Sequence, residues 1–445
     1  MQTPKAQTID AEQSSGEVET IDLSDPHYMD KAFDTYAGIQ ARGPVAKVVF
    51  TAGQNAEGGG GGAFDFLGKE SHFVTHYDEV VAALMDDRLG VDPRRTMTEE
   101  QRKKMPPVPE ELRPFQRSLL SADPPDHTRL RKLVQPSFTG AAMEALRPRI
   151  HQIADDLLDA AEREAEARGE RAPDRQMDLI KAFAYPLPVT VISELLGIPQ
   201  EDRARVRTYT EDLLTGNRRR GQPLDEKGRA KMREFHAYLR DLFDRRRATP
   251  TDDLISRLVH AEEDGDKLDS DELLSMVMIL YLAGHVTTVN LVGNAVVALM
   301  RHPDQLAKLR AEPELAKGVV EETLRYWGPV DFIGRRTARQ DLEIGGCPIA
   351  KGDPVVVSLA AADRDPKRFP DPEAFDITRP DAGRHVAFGK GIHVCLGAPL
   401  ARVEGQVALA VLFQRFPQLQ TAVPPDELSW SGNFLRGFGK VPVRF

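Results

Sequence analysis

The chain reads as a mainly α protein with small β-sheets and a long central helix, and three observations predict this. From about residue 79 to 325, apolar residues recur mostly at helical spacing. Strand-like stretches are confined to the beginning of the chain and to about 335–357. No repeat with a period of roughly 20 to 50 residues is present, which removes solenoids and propellers.

Taken in order, residues 1–21 are polar and acidic and are expected to be disordered. They have neither the apolar core of a signal peptide nor the roughly 20 apolar residues of a membrane anchor. Residues 22–445 are expected to form one large domain, because no Pro/Gly/Ser-rich linker divides the chain after about residue 70. Val45 to Phe50 and His72 to Thr75 read as the strands of a hairpin. The stretch 51–70 between them carries Gly58 to Gly62 and reads as an insertion, since no Gly-Lys-Ser/Thr follows to cradle phosphate. Asp271 to Met300 is the longest apolar helical run, opened by Asp269 and Glu272 at capping-box spacing. Ser275, His285, Asn290 and Asn294 interrupt it, so it reads as a buried central helix rather than a membrane span. Gly345-Gly346-Cys347-Pro348 reads as a hairpin turn.

The net charge of −10 and the lack of a Lys/Arg-rich tract argue against nucleic-acid binding. Two cysteines, Cys347 and Cys395, are too few for a disulfide framework and fit a reducing cytoplasm with one functional thiol. A soluble, cytoplasmic protein with no membrane partner is expected.

Cys395 stands among Gly389, Gly391 and Gly397, ahead of a helical pattern with Pro399 in its first turn. Glycines at positive φ let a loop lie against a flat partner. The start of a helix favours thiolate over thiol. The run Phe388-Gly389-Lys390-Gly391-Ile392-His393-Val394-Cys395-Leu396-Gly397 fits F-G-x-G-x-H-x-C-x-G. Here the chain resembles the cytochrome P-450 superfamily, the haem-thiolate monooxygenases, from about residue 22 to 445. The resemblance implies the cytochrome P-450 fold, with the long central helix over haem b (Fe-protoporphyrin IX). It implies Cys395 as the iron ligand and Phe388 and Gly389 as parts of the cofactor-binding loop.

Further motifs carry the same resemblance. Ala283-Gly284-His285-Val286-Thr287-Thr288 resembles the oxygen-binding groove A/G-G-x-D/E-T-T/S, which implies catalytic roles for Ala283, Gly284 and Thr287. Small residues there permit close approach, and a threonine bonded back to the backbone opens a local kink. Glu322 and Arg325 share one helical face and can pair; they match E-x-x-R, and Arg379 matches the arginine that completes a structural cluster. His127 and Arg131, at i,i+4 spacing, together with Arg336 and His393, match positions that hold haem propionates. Arg129, Lys132 and Lys390 suggest a positive face near Cys395, suited to an acidic iron-sulfur donor.

The chain departs from the pattern at Val286, where Asp or Glu is usual, and at Asp363, where asparagine is common. Val286 leaves three routes open: an ordered-water relay through Thr287, use of peroxide, or chemistry without ordinary oxygen transfer. His285 lies about 100° away around the helix and reads as a packed core histidine rather than a proton relay. Asp331 and Arg218-Arg219-Arg220 read as surface or loop charges rather than substrate contacts. The resemblance implies oxidation of a C–H or C=C bond of a small hydrophobic or natural-product substrate of polyketide type. Dioxygen and NAD(P)H-derived electrons are expected to be its co-substrates. No flavin or nicotinamide domain follows residue 445, so a ferredoxin and a ferredoxin reductase are expected as partners. A peroxide-driven or coupling enzyme is the alternative, and a non-catalytic haem sensor a further one.

Overall fold

The structure is a computed structural model and describes residues 18–52, 66–105, 107–214, 225–263, 266–432 and 435–445. The glycine run Gly58 to Gly62, Arg218 to Arg220 and residues 1–17 lie outside the described residues.

A mixed six-stranded sheet comprises β1 (Glu19–Asp22), β2 (Val45–Thr51), β3 (Glu70–Val74), β4 (Leu89–Gly90), β5 (Phe332–Ala338) and β6 (Pro354–Ser358), in the order β1-β2-β3-β6-β5-β4. The expected hairpin forms, with Val45 opposite Val74 in antiparallel register. Two pairings were not expected. β6 lies parallel to β3, Val356 opposite Phe73. β1 lies parallel to β2, Glu19 opposite Val48. The last one corrects the disordered terminus expected to run to residue 21, because Glu19–Asp22 finds hydrogen-bond partners on the open edge of β2 and buries Ile21. Phe50 sits 5.4 Å from Phe73 and 5.1 Å from Phe332, ring to ring, and joins the sheet to its core.

The helices that position the site are α1 (Asp126–Val134), α2 (Arg147–Ala167), α3 (Pro186–Leu196), α4 (Glu226–Ala248), α5 (Ser270–Arg301), α6 (Ala316–Trp327) and α7 (Ala398–Arg415). α5 is the central helix foreseen from its composition. Asp269 accepts from the amides of Asp271 and Glu272, at 2.9 Å each, and Glu272 accepts from Asp269 N at 3.0 Å, completing the capping box. α5 packs against α3, α6 and α7. Leu274, Val277, Val292, Val296 and Leu299 are fully buried there, and cutting Leu274 or Leu299 back to alanine costs about 2–5 kcal/mol. Although α5 is long and apolar enough to cross a membrane, protein covers most of it. Asn294 satisfies its buried amide by donating to the carbonyls of Trp327 at 2.9 Å and Arg436 at 3.1 Å.

Asp331 is neither a surface charge nor a substrate contact. It is wholly buried, gripped by Arg436 through Nε at 3.0 Å and Nη2 at 2.8 Å, and Tyr36 donates to it at 3.2 Å.

His285 is a core residue, as its position around the helix suggested. Its Nδ1 lies 2.6 Å from the Tyr281 carbonyl, which assigns the proton to Nδ1, while Nε2 is unpartnered. Burial pushes His285, and His236 on α4, down to about 4. In the unfolded chain both titrate near 6.5, so between those values the unfolded state binds more protons. Stability is therefore full above about pH 6.5 and falls as pH drops toward 4, by about 1.4 kcal/mol per pH unit for each histidine. Urea melts at descending pH are expected to show this slope, and His285→Gln to reduce it.

Candidate active site

The cysteine loop is shaped by two glycines. Gly389 and Gly391 adopt φ of 70° and 72°, and a Cβ on Gly391 would come within 2.5 Å of the Leu84 carbonyl oxygen. Gly397, expected to share this conformation, instead has φ −82° and precedes the first residue of α7. Nothing lies within 4 Å of the place its Cβ would take, so a flat group can pass there. Cys395 N donates to the Phe388 carbonyl at 2.9 Å and closes the loop. The Phe388 ring carries the Arg402 guanidinium at 4.6 Å.

The Cys395 side chain opens onto accessible space, yet protein surrounds it closely enough that burial pushes its thiol up. The amides of Gly397 and Ala398, with Arg131 and Arg402, pull the other way and are outweighed. The start of α7 does stabilise the anion, but desolvation is the larger effect for the sulfur alone.

Within α5 the chain turns one short arc toward open space. Ala283 is exposed and Gly284, Val286 and Thr287 are half-exposed, while His285 and Thr288 are buried. Thr287 Oγ1 donates to the Ala283 carbonyl at 3.0 Å and Thr288 Oγ1 to that of Gly284 at 3.3 Å. The helix stays α-helical through these back-bonds. Gly284 also serves packing: a Cβ there would lie 3.5 Å from Ile192 Cδ1 of α3.

The four cofactor-binding candidates come from three elements and meet beside the loop. His127 and Arg131 project from α1, Arg336 from β5, and His393 precedes Cys395 by two residues. The His127 and His393 rings lie 4.3 Å apart. His127 Nε2, His393 Nε2 and Arg336 Nε are buried with no partner in the protein. Burial first, then Arg336 and His127, pushes His393 down to about 3. Arg131 donates through Nη1 to the Val394 carbonyl at 3.0 Å. Buried donors without acceptors are unfavourable, and the two carboxylates of a haem are the partners they fit. The open space beside Gly397 fits its flat ring, and Cys395 its iron. Among the described residues no group of three or more His, Cys, Asp or Glu could hold a metal unaided.

The E-x-x-R residues form a buried brace behind the loop. Arg325 donates to both Glu322 oxygens at 2.8 Å and to the carbonyls of Asp363, Pro372 and Ala374 at 2.9–3.1 Å. Arg379 joins through Nε to Glu322 at 3.2 Å, as expected. A second tie went unforeseen: Glu321 of α6 receives Arg402 of α7 at 2.7 and 3.0 Å and meets His385 at 3.2 Å. A carboxylate beside the E-x-x-R glutamate and an arginine beyond the cysteine were its only signals.

Asp363 is fully buried, accepts from Val386 N at 2.7 Å, and burial holds its carboxyl well above the ordinary range against the pull of Arg325 and Lys390. Burial thus favours its neutral form, the form that stands in for an asparagine. Because folding must protonate it, its favourable contribution is present below its unfolded value of about 4 and is lost as pH rises. Asp363→Asn is expected to raise the thermal midpoint at neutral and higher pH and to change little near pH 4.

The positive face is smaller than expected. Arg129 is half-buried against Glu272, at 3.3 Å for Nη1, while Lys132 stays exposed.

Comparison with known proteins agrees with this geometry. Residues 66–440 match the family model described as Cytochrome P450. The chain is 43% identical to cytochrome P450 monooxygenase PikC of Streptomyces venezuelae over 417 residues, 93% of this chain and 91% of that protein. It is 40% identical to 6-deoxyerythronolide B hydroxylase of Saccharopolyspora erythraea over 425 residues, 93% of this chain and 95% of that protein. Among solved structures, the bacillaene polyketide synthase cytochrome P450 PksS of Bacillus subtilis 168 superposes with a TM-score of 0.79 at 37% identity, covering 94% of this chain and 98% of that one.

Proposed function

Since the chain belongs to the cytochrome P450 family and is an oxidoreductase of the monooxygenase type, we propose that it inserts one oxygen atom into a C–H or C=C bond of a polyketide-like substrate. A ferredoxin, itself reduced by a NAD(P)H-dependent reductase, supplies the electrons in the cytoplasm. The observation that carries this reading is the meeting of Cys395 with three orphaned buried donors, His127 Nε2, His393 Nε2 and Arg336 Nε. The relatives named for polyketide biosynthesis and for macrolactone hydroxylation support the substrate class.

Bound against Cys395, haem b supplies activation of dioxygen and transfer of one oxygen atom. The chain does the rest. Cys395 furnishes the sulfur ligand, and Arg131, Arg336, His127 and His393 neutralise or hydrogen-bond the two carboxylates. Ala283 leaves room on the facing helix. Thr287 holds a proton at Oγ1, and Val286 offers none.

Val286 favours one second reading, a peroxide-driven or non-oxygenating enzyme of the same family. Titration with macrolactones is expected to shift the spin state of the iron, and the responding compound to be oxidised with ferredoxin, reductase and NAD(P)H. Product from peroxide alone, with none from the electron-transfer chain, would select the second reading.

A further inference from the structure

The other cysteine has a partner set of its own. Cys347 opens the strand Cys347–Ile349, opposite Ile344 in the hairpin that Gly345 and Gly346 turn at φ of 54° and 80°. Its Sγ lies 3.7 Å from Nδ1 of His72 on β3. His72 is 5% exposed, and its Nε2 lies 3.1 Å from Oδ2 of Asp353. That carboxylate is held in turn by the amide of Ala350 at 3.1 Å. Strand register sets the spacing, because β6 begins one residue after Asp353 and runs beside β3 with Val355 opposite His72. A carboxylate only accepts, so the imidazole proton sits on Nε2, and Nδ1 is left with a lone pair facing the thiol. A nucleophile, a base and a group that orients the base therefore stand in line. Burial pushes the Cys347 thiol up, Lys47 on β2 pulls it down and Glu343 adds to the rise. The half-buried sulfur thus rests protonated, and it needs a base to become a nucleophile.

We propose that Cys347 is a site of reversible S-thiolation, at which His72 and Asp353 promote exchange with a small disulfide. His72 Nδ1 takes the thiol proton as Sγ attacks one sulfur of R–S–S–R. The Sγ–S bond forms, the S–S bond of the reagent breaks, and His72 passes the proton to the departing sulfur, which leaves as RSH. Cys347 is oxidised, the departing sulfur is reduced, and no other electron acceptor enters. Acyl transfer is the other chemistry open to such a trio, and it draws on N–H donors beside the nucleophile to hold an oxyanion. The residue after Cys347 is Pro348, which has none. Disulfide exchange forms no oxyanion. Among the described residues no group of three or more His, Cys, Asp or Glu could hold a metal, which sets metal binding aside for the same three side chains. Asp353 touches no reacting atom and acts only through His72. None of these steps calls on oxygen chemistry.

Haem-loaded protein incubated with glutathione disulfide at neutral pH is expected to gain one glutathionyl group on the peptide that carries Cys347, and to lose it again on adding dithiothreitol. Mass spectrometry reads both steps. Cys347→Ser should gain none at that peptide, His72→Gln should react about a hundredfold more slowly, and Asp353→Asn should be slowed by a smaller factor. The pH profile separates base assistance from mere exposure. Without the base only thiol already deprotonated by the medium reacts, so the His72→Gln rate should climb about tenfold per pH unit above neutrality, while the wild-type rate stays nearly level. The charged groups around the sulfur are His72, Asp353, Glu343 and Lys47, which pairs with Glu70. Lys47→Met should keep the level profile. Carbon monoxide spectra like the wild type's show that the variants fold. Should His72→Gln fail to fold, Asp353→Asn and the wild-type profile carry the test. No adduct at Cys347, an unchanged rate in His72→Gln or Asp353→Asn, or a wild-type rate that climbs tenfold per pH unit overturns the proposal.

Discussion

Cys395→Ser is expected to leave the fold intact and to abolish the red-displaced carbon monoxide spectrum of the reduced protein. Oxygenation should fall by at least about a thousandfold, some 4 kcal/mol of barrier. The fold survives because the loop is held by groups other than the thiol. Gly391 lies against Leu84, the residue 395 amide bonds to the Phe388 carbonyl, and Arg131 bonds to the Val394 carbonyl. Serine keeps all three. What it loses is a soft sulfur donor whose electron push favours O–O cleavage. The paired control is Cys347→Ser, which should retain spectrum and activity. Cys347 sits in a surface hairpin 3.7 Å from His72 Nδ1, on β3. Carbon monoxide difference spectra of both variants, each loaded to equal haem content, make the comparison.

Arg325→Leu is expected to lower stability by about 3–5 kcal/mol, a large share of the roughly 5–15 kcal/mol that holds a folded domain together. Both Arg325 and Glu322 are fully buried. Removing the guanidinium strands the Glu322 carboxylate, with only Arg379 and the Asp376 amide at 3.0 Å left to it. It also strips three carbonyls in the segment 363–374 of a donor. Arg325→Lys should recover little, since an ammonium cannot fork to Glu322 while reaching those carbonyls. Because that segment leads into the cysteine loop, cofactor retention should fail along with stability, although no reacting atom is touched. Urea melts and haem titration of Arg325→Leu, Arg325→Lys and Glu322→Gln measure the two losses.

What was legible in the chain divides by the range of the interaction. The central helix, its capping box, the β2–β3 hairpin and the cysteine loop depend on neighbours within a few residues, and local spacing displays them. Glu322, Arg325 and Arg379 lie up to 57 residues apart and were still readable, because a family pattern carries that long-range pairing. The parallel pairing of β6 with β3, and of β1 with β2, left no local trace. Asp331 looked like any loop aspartate because its partner is 105 residues away. At Cys395 a sequence displays the helix start that favours the anion and conceals the enclosure that opposes it.

The grip of Arg436 on Asp331 reaches further still, since its Nη1 also bonds the carbonyl of Met29 at 3.3 Å. One guanidinium thereby fastens the helix Tyr28–Gln40 to the segment around residue 331. During synthesis the carboxyl group of residue 331 stays without this partner until residue 436, 105 positions later, has been made. A chain cut just short of residue 436 therefore carries all of the described helices and lacks the guanidinium that closes this cluster.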